Sequence, residues 1–168
     1  MKVLTPKDLL KGYSLREFKI EDLDQVIDIN LHCLPEHYPP SFYLDLHQRF
    51  PEAFLVAETE EGEIVGYIMC RVEMNFPSLD IFRGLKKGHI ISIAVREEHR
   101  GRGIGSALIE RALKALRDVY GCRECYLEVR VSNYKAIRLY EKMGFTKLRL
   151  NPFYYRDGEA AYTMTRKL

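Results

Sequence analysis

No stretch of this chain is apolar for long enough to cross a membrane, and no apolar run follows Met1-Lys2-Val3 as a secretory leader would require. Charge of one sign is lacking as well. The 26 Lys and Arg face 24 Asp and Glu, and the net charge of +2 is too near balance to indicate a nucleic-acid binder. No internal repeat, linker or low-complexity segment is present. These absences lead to the expectation of a soluble, cytoplasmic protein with no membrane and no direct nucleic-acid partner. Cysteine is scarce, with Cys33, Cys70, Cys122 and Cys125 only, and Cys122-x-x-Cys125 is the one paired spacing. A zinc site would want a second pair or nearby histidines, and a redox motif would precede a helix where here a strand follows. The four are therefore read as small core or strand-edge residues, with no metal, and a Cys122–Cys125 disulfide stays open.

What is present is 168 residues of ordinary globular composition, 46% hydrophobic and 30% charged, the size of one domain spanning 1–168. Its centre is the stretch from Gly88 to Tyr120. Ile90-Ile91-Ser92-Ile93-Ala94-Val95 is apolar, rich in β-branched residues and of strand length. After the polar Arg96-Glu97-Glu98-His99 comes Arg100-Gly101-Arg102-Gly103-Ile104-Gly105, which runs into an amphipathic helix carrying Ile104, Ala107, Leu108, Ala112, Ala115, Leu116 and Val119 on one face. The first N–H groups of a helix have no intrahelical partner and the dipole is positive there, so a glycine-rich start with two arginines forms an anion cradle. It is not a Walker A loop, because Ser106 stands where Gly is required, and the dinucleotide G-x-G-x-x-G spacing fails at Ser106 and Leu108.

The other elements follow from periodicity and punctuation. Strands are expected at 13–18, 53–58, 64–72, 124–131, 145–150 and 160–166, and helices at 21–31, 41–49 and 133–143, the last capped by Asn133 and closed by Gly144. Residues 74–87, with Pro77 and Gly84, read as a loop, and 151–159 as a long aromatic hairpin loop. The order is one strand, two helices, three strands, a helix, a strand, a helix and two strands. The expected fold class is α/β (mixed α+β), with a single central, mixed, mostly antiparallel sheet flanked by helices.

Arg100-x-x-Gly103-x-Gly105 between a strand and a helix resembles the acyl-CoA pyrophosphate loop of the GCN5-related N-acetyltransferase (GNAT) family. Further strings agree in order. Ile93-Ala94-Val95 precedes the loop, and Leu127-Glu128-Val129 is followed by Ser132-Asn133-x-x-Ala136-Ile137-x-Leu139-Tyr140-x-Lys142-x-Gly144-Phe145. Together with Leu34-Pro35-Glu36-x-Tyr38 and Tyr154-Tyr155-x-Asp157-Gly158-Glu159-x-Ala161-Tyr162, they are similar to the archaeal, Ard1-related branch that acetylates protein N-termini. The resemblance covers nearly the whole chain.

It implies acetyl-CoA as cosubstrate, bound by Ile93, Ala94 and Val95, by Arg100, Gly101, Arg102, Gly103, Ile104, Gly105 and Ser106 at the pyrophosphate, and by Asn133 and Tyr140. Main-chain groups of Ile93 and Val95 would pair with the pantetheine arm, and Tyr140 would sit near the thioester sulfur. It implies His89 and Glu128 as a base pair acting through ordered water, with Tyr140 as a catalytic acid. Leu34, Glu36, Tyr38, Tyr154 and Tyr155 would grip an extended N-terminus, with the Glu36 carboxylate repelling acidic first residues. The implied partners are N-termini of proteins or nascent chains, with ribosome association open and a monomer expected. Two alternatives stand beside this reading: another GNAT acyltransferase acting on lysine or a small amine, and a non-catalytic acyl-CoA-binding module.

Overall fold

The computed structural model describes residues 10–75 and 85–168. Seven strands form one sheet: β1 (Tyr13–Glu17), β2 (Phe54–Thr59), β3 (Ile64–Asn75), β4 (Leu85–Val95), β5 (Glu124–Arg130), β6 (Thr146–Asn151) and β7 (Ala161–Lys167). Their order across the sheet is β1-β2-β3-β4-β5-β7-β6. Every neighbouring pair is antiparallel except β4 with β5. The helices are α1 (Leu23–Cys33), α2 (Pro40–Arg49), α3 (Ile104–Asp118) and α4 (Tyr134–Lys142). The mixed, mostly antiparallel sheet expected from the sequence is the one observed. None of the helices is long and apolar enough to cross a membrane among the described residues.

Helices cover both faces, and the strand sequences record it. In β2, Phe54 and Val56 pack into a cluster with Val26, Ile29, Tyr43 and Leu46 of α1 and α2, while Leu55 and Ala57 join Leu108, Ala112 and Leu116 of α3 on the other face. A strand buried on both sides reads as a continuous apolar run rather than as an alternation. Each such fully buried Leu or Ile contributes about 1.5–3 kcal/mol of transfer free energy. α3 presses closely on β4 at Gly88, where a Cβ would lie only 2.6 Å from Leu116 Cδ1. Cys70, Cys122 and Cys125 are buried, Cys33 is partly buried, and all four are free thiols, as the reading of core cysteines requires.

Two expectations about boundaries need correction. The segment read as a loop over 74–87 is largely strand at its ends: β3 runs on to Asn75 and β4 starts at Leu85, paired through Asn75↔Leu85, Glu73↔Lys87 and Val72↔Gly88. Residues such as Glu73, Lys86 and Lys87 look like loop in isolation, but opposite charges face each other across the ladder at Glu73 and Lys87, which favours pairing. The remainder of that loop, 76–84, lies outside the described residues. The first helix starts at Leu23 rather than residue 21, because Ile20–Asp22 form a separate 3-10 turn. Asp22 is occupied there, accepting Lys19 N–H at 2.8 Å and both Arg16 guanidinium nitrogens at 2.7 and 2.9 Å.

Candidate active site

β4 and β5 are partners at Lys87↔Glu124, Gly88↔Cys125 and His89↔Tyr126, and at no later position. Beyond His89 the two strands part. β4 carries an irregularity at this point, since Met69 and Cys70 of β3 oppose Ser92 and Ile90, leaving Ile91 as an extra residue; such a bulge bends and twists its strand. Arg96 N–H bonds to Val65 O on β3 at 2.8 Å, so alternate main-chain groups of the strand face the gap. The Val95 carbonyl accepts Arg100 Nε at 2.8 Å and lies 3.8 Å from Cys33 Sγ. Farther back, Ile91 O accepts the Tyr38 hydroxyl at 3.4 Å. The result is a stretch of strand edge exposed inside the molecule. A cavity of about 590 Å³ opens on one side of it and one of about 390 Å³ on the other; Leu34, Ile93, Asn133 and Tyr140 line both.

The larger cavity holds the anion cradle. Gly103 caps α3 in the left-handed region at φ +83°, a conformation that costs a residue with a Cβ about 1–2 kcal/mol. The first turn of α3 therefore presents its N–H groups into a cavity walled by Gly101, Gly105, Ser106, Arg100, Lys135 and Lys142. Ile93, Ala94, Val95, Ile104, Asn133 and Tyr140 also line it. Asn133 caps α4, its Oδ1 accepting Ala136 N–H at 3.2 Å. Arg102 is not in the wall. Its guanidinium donates to the Tyr13 hydroxyl at 2.8 Å and to Glu98 O at 3.4 Å. His99, unremarked in the sequence, takes a place in the wall, with Nδ1 2.7 Å from the Tyr13 hydroxyl.

The smaller cavity collects the residues expected around a peptide. Leu34, Glu36 and Tyr38 come from the α1–α2 loop, Tyr154 and Tyr155 from the β6–β7 loop, and His89 and Glu128 from the floor. The loop after α1 is fixed from beneath: Asn30 Nδ2 donates to Glu36 O and to the Tyr67 hydroxyl, both at 3.1 Å, and Tyr67 bonds Ser92 at 2.6 Å. On β5, Cys125, Leu127 and Val129 are buried toward α3 and α4, which turns Tyr126, Glu128 and Arg130 to the opposite face. His89 Nε2 lies 2.6 Å from Glu128 Oε2, so the two residues of the implied base pair are in direct contact. His89 Nδ1 lies 3.0 Å from Glu73 Oε1.

Arg130 ties the two loops together, donating to Glu36 at 2.6 Å, Asp157 at 2.8 Å and Glu159 at 3.0 Å, while its guanidinium lies 4.0 Å from the centre of the Tyr155 ring. The Glu36 carboxylate is thus paired, not a bare charge in the wall. Burial pushes the Tyr140 hydroxyl up to about 12. Burial also raises Tyr38, helped by the charges of Glu36 and Glu128. Glu73 goes the other way: burial alone would raise it, but hydrogen bonds from Tyr126, His89 and Arg71 outweigh that and hold it below the usual carboxylate range. Glu73, Arg130 and His99 were not singled out in the sequence. The usable signal for Glu73 was strand register, since Arg71 lies directly opposite His89 and Glu73 follows two residues on, on the same face.

The profile of the family described as "Acetyltransferase (GNAT) family" matches residues 23–145. A protein of Sulfurisphaera tokodaii named N-alpha-acetyltransferase is 48% identical over 159 residues, covering 94% of this chain and 95% of its own. Among solved structures, Ard1 from Thermoplasma volcanium superposes with a TM-score of 0.79 at 34% identity over 94% of this chain and 98% of its own. Chaetomium thermophilum Naa20 in complex with a bisubstrate analogue gives 0.80 at 34% identity over 92% and 86%.

Proposed function

The chain belongs to the acetyltransferase (GNAT) family, and we propose that it is an N-terminal acetyltransferase, moving the acetyl group of acetyl-CoA directly to the α-amine of a protein or nascent chain. The observation that carries the reading is the gap with two mouths: an anion cradle opens on one side, a carboxylate–imidazole pair lies on the other, and Ile93 and Tyr140 are shared. The names of its relatives point the same way.

Acetyl-CoA supplies an activated acetyl thioester. The cationic wall and the helix start suit its phosphates, and the exposed edge of β4 suits the amides of its pantetheine arm. In this reading Arg100, Gly101, Gly103, Gly105 and Ser106 hold the pyrophosphate, Arg102 acts through Tyr13, and Ile93 and Val95 offer main-chain groups to the arm. A peptide α-amine has a pKa of about 7.7–8.0, so near neutral pH most of it is a non-nucleophilic ammonium. His89 and Glu128 accept its proton, a role worth roughly 10²–10⁴ in rate. Tyr140, still protonated at neutral pH, donates toward the departing sulfur. Leu34, Glu36, Tyr38, Tyr154 and Tyr155 hold the extended N-terminus. Transfer occurs in a ternary complex and uses no protein thiol. The protein works as a cytoplasmic monomer.

The test pairs a peptide bearing a free α-amine with an α-blocked peptide bearing one lysine, each given acetyl-CoA. Acetylation of the first is expected, with kcat lowered more than about tenfold by His89→Ala and by Glu128→Ala. Acetylation of the lysine peptide alone would overturn the substrate assignment, and full activity of both variants would overturn the base.

A further inference from the structure

Both ring nitrogens of His89 face carboxylates, and hydrogen-bond arithmetic then restricts where protons sit. Glu73 Oε1 lies 3.0 Å from Nδ1 and Glu128 Oε2 lies 2.6 Å from Nε2. A neutral imidazole has one donor and one acceptor nitrogen, so it cannot donate to two ionised carboxylates at once. Glu73 decides which nitrogen carries the proton. Its carboxylate is ringed by donors: the Tyr126 hydroxyl reaches Oε2, and Arg71 Nε and Nη2 reach Oε1 at 2.9 and 2.8 Å. Those bonds keep it ionised and therefore an acceptor only. His89 Nδ1 must donate to it. The Tyr126 ring also stacks on the imidazole, with centroids 4.1 Å apart and planes at 16°, which fixes the orientation of the ring.

We propose that Glu73 is the positioning residue of the base, a role that rests on the assignment of His89 and Glu128 above. Glu73 lies behind the imidazole and does not line the peptide cavity, so it acts through His89 rather than on the substrate. With Nδ1 committed to Glu73, the lone pair of a neutral His89 sits on Nε2, toward Glu128 and the incoming amine. At 2.6 Å, Nε2 and Oε2 cannot both present lone pairs, so the resting pair shares one proton between them.

That proton must leave to water before the pair can take one from the substrate ammonium. Thereafter the count balances: one N–H bond of the ammonium breaks, one bond to Nε2 or Oε2 forms, and the pair is back to one proton. The form of the pair that accepts the substrate proton is the deprotonated one.

The Glu73 carboxylate lies against the Nδ1 side of the imidazole. The other charged or titratable groups lining the cavity with His89 or packed on it are Arg71 from β3, Tyr126, Glu128 and Arg130 from β5, Glu36 and Tyr38 from the α1–α2 loop, and Tyr154 and Tyr155 from the β6–β7 loop. Arg71 opposes Glu73 electrostatically but also pins it in place.

The experiment combines kinetics with imidazole nitrogen NMR on the full chain. In the native protein, the spectrum should show a proton on His89 Nδ1. In Glu73→Gln, which keeps the shape, the amide can present its NH₂ group to Nδ1 and invert the tautomer. Expected results are a proton moved to Nε2 in the nitrogen spectrum, a kcat about tenfold lower and unchanged acetyl-CoA affinity. Glu73→Asp should recover part of the rate. A native His89 bearing its proton on Nε2 alone overturns the proposal, as does a Glu73→Gln protein with native kcat beside an inactive His89→Ala. Full activity in His89→Ala would instead remove the base assignment on which it rests.

Discussion

The hydroxyl of Tyr13, on the edge strand β1, lies 2.7 Å from Nδ1 of His99, in the wall of the cofactor cavity. Arg102 donates to the same hydroxyl at 2.8 Å. The arrangement in which each donor finds an acceptor has Arg102 donating to Tyr13 and the Tyr13 O–H donating to Nδ1, which leaves the proton of a neutral His99 on Nε2. A phosphate on the α3 cradle would then meet a fixed N–H. Tyr13→Phe is expected to weaken acetyl-CoA affinity about fivefold, the value of about 1 kcal/mol for one hydrogen bond, with kcat at saturation little changed. Calorimetry giving a native Kd would exclude this link.

The cradle itself is tested at Gly103. At φ +83° a Cβ meets only Leu10 Cδ2, at 3.8 Å, so the position has space but an unfavourable backbone. Gly103→Asp should lower stability by about 1–2 kcal/mol through strain. Its carboxylate would also stand where an anion must bind. Acetyl-CoA should raise the Tm of the native protein by mass action and leave that of the folded variant unmoved. An equal rise in both would move the pyrophosphate elsewhere.

Much of this architecture is legible in sequence because local rules and tertiary demand coincide. Gly103 before α3, Asn133 capping α4 and the two-sided apolar run of β2 each announce their element. The elements that hide are those whose logic is cross-strand. Glu73 pairs with Lys87 in the ladder and with His89 across its face, and neither neighbour is near it in sequence. Arg130 is similar: on β5 it continues an alternation that reads as a solvated face, and only the two loops folding over that face give it three carboxylates. Arg102 failed in the opposite sense, since charge beside a phosphate loop predicts a contact that the Tyr13 hydroxyl intercepts.

Stability at low pH should report on Arg16 and Asp22. Burial alone would raise the Asp22 carboxyl, but the bidentate Arg16 bond and the Lys19 N–H outweigh it, and the group is held below its ordinary 3.8. A carboxyl depressed in the folded state adds stability above its unfolded pKa and loses it as pH falls through the folded value. The free-energy gap between the native protein and Asp22→Asn should therefore be full at neutral pH and close as pH drops below 3.8. Chemical denaturation at a series of pH values measures it; a gap independent of pH would show that Asp22 contributes shape and not charge.

Peptide choice offers a test in which charge and structure predict opposite outcomes. Arg130 carries one positive charge against the three carboxylates of Glu36, Asp157 and Glu159, so the cluster beside the peptide cavity has a net charge of −2. Glu36→Gln changes it to −1 and Arg130→Gln to −3. If the cluster acts on the substrate through its charge, a peptide with an acidic second residue should gain on a neutral one in Glu36→Gln and lose in Arg130→Gln. The Coulomb energy of one unit charge at about 8 Å is roughly 0.5 kcal/mol in water and about 2 at an effective dielectric constant of 20, so changes of about two- to thirtyfold in the kcat/KM ratio are expected. If Arg130 and Glu36 merely brace the two loops, either substitution loosens the same contact, KM rises for both peptides, and the ratio moves the same way or not at all. Measuring kcat/KM for Met-Glu- and Met-Leu-starting peptides on both variants separates the two, and ratios that shift in the same direction would assign the cluster to bracing alone.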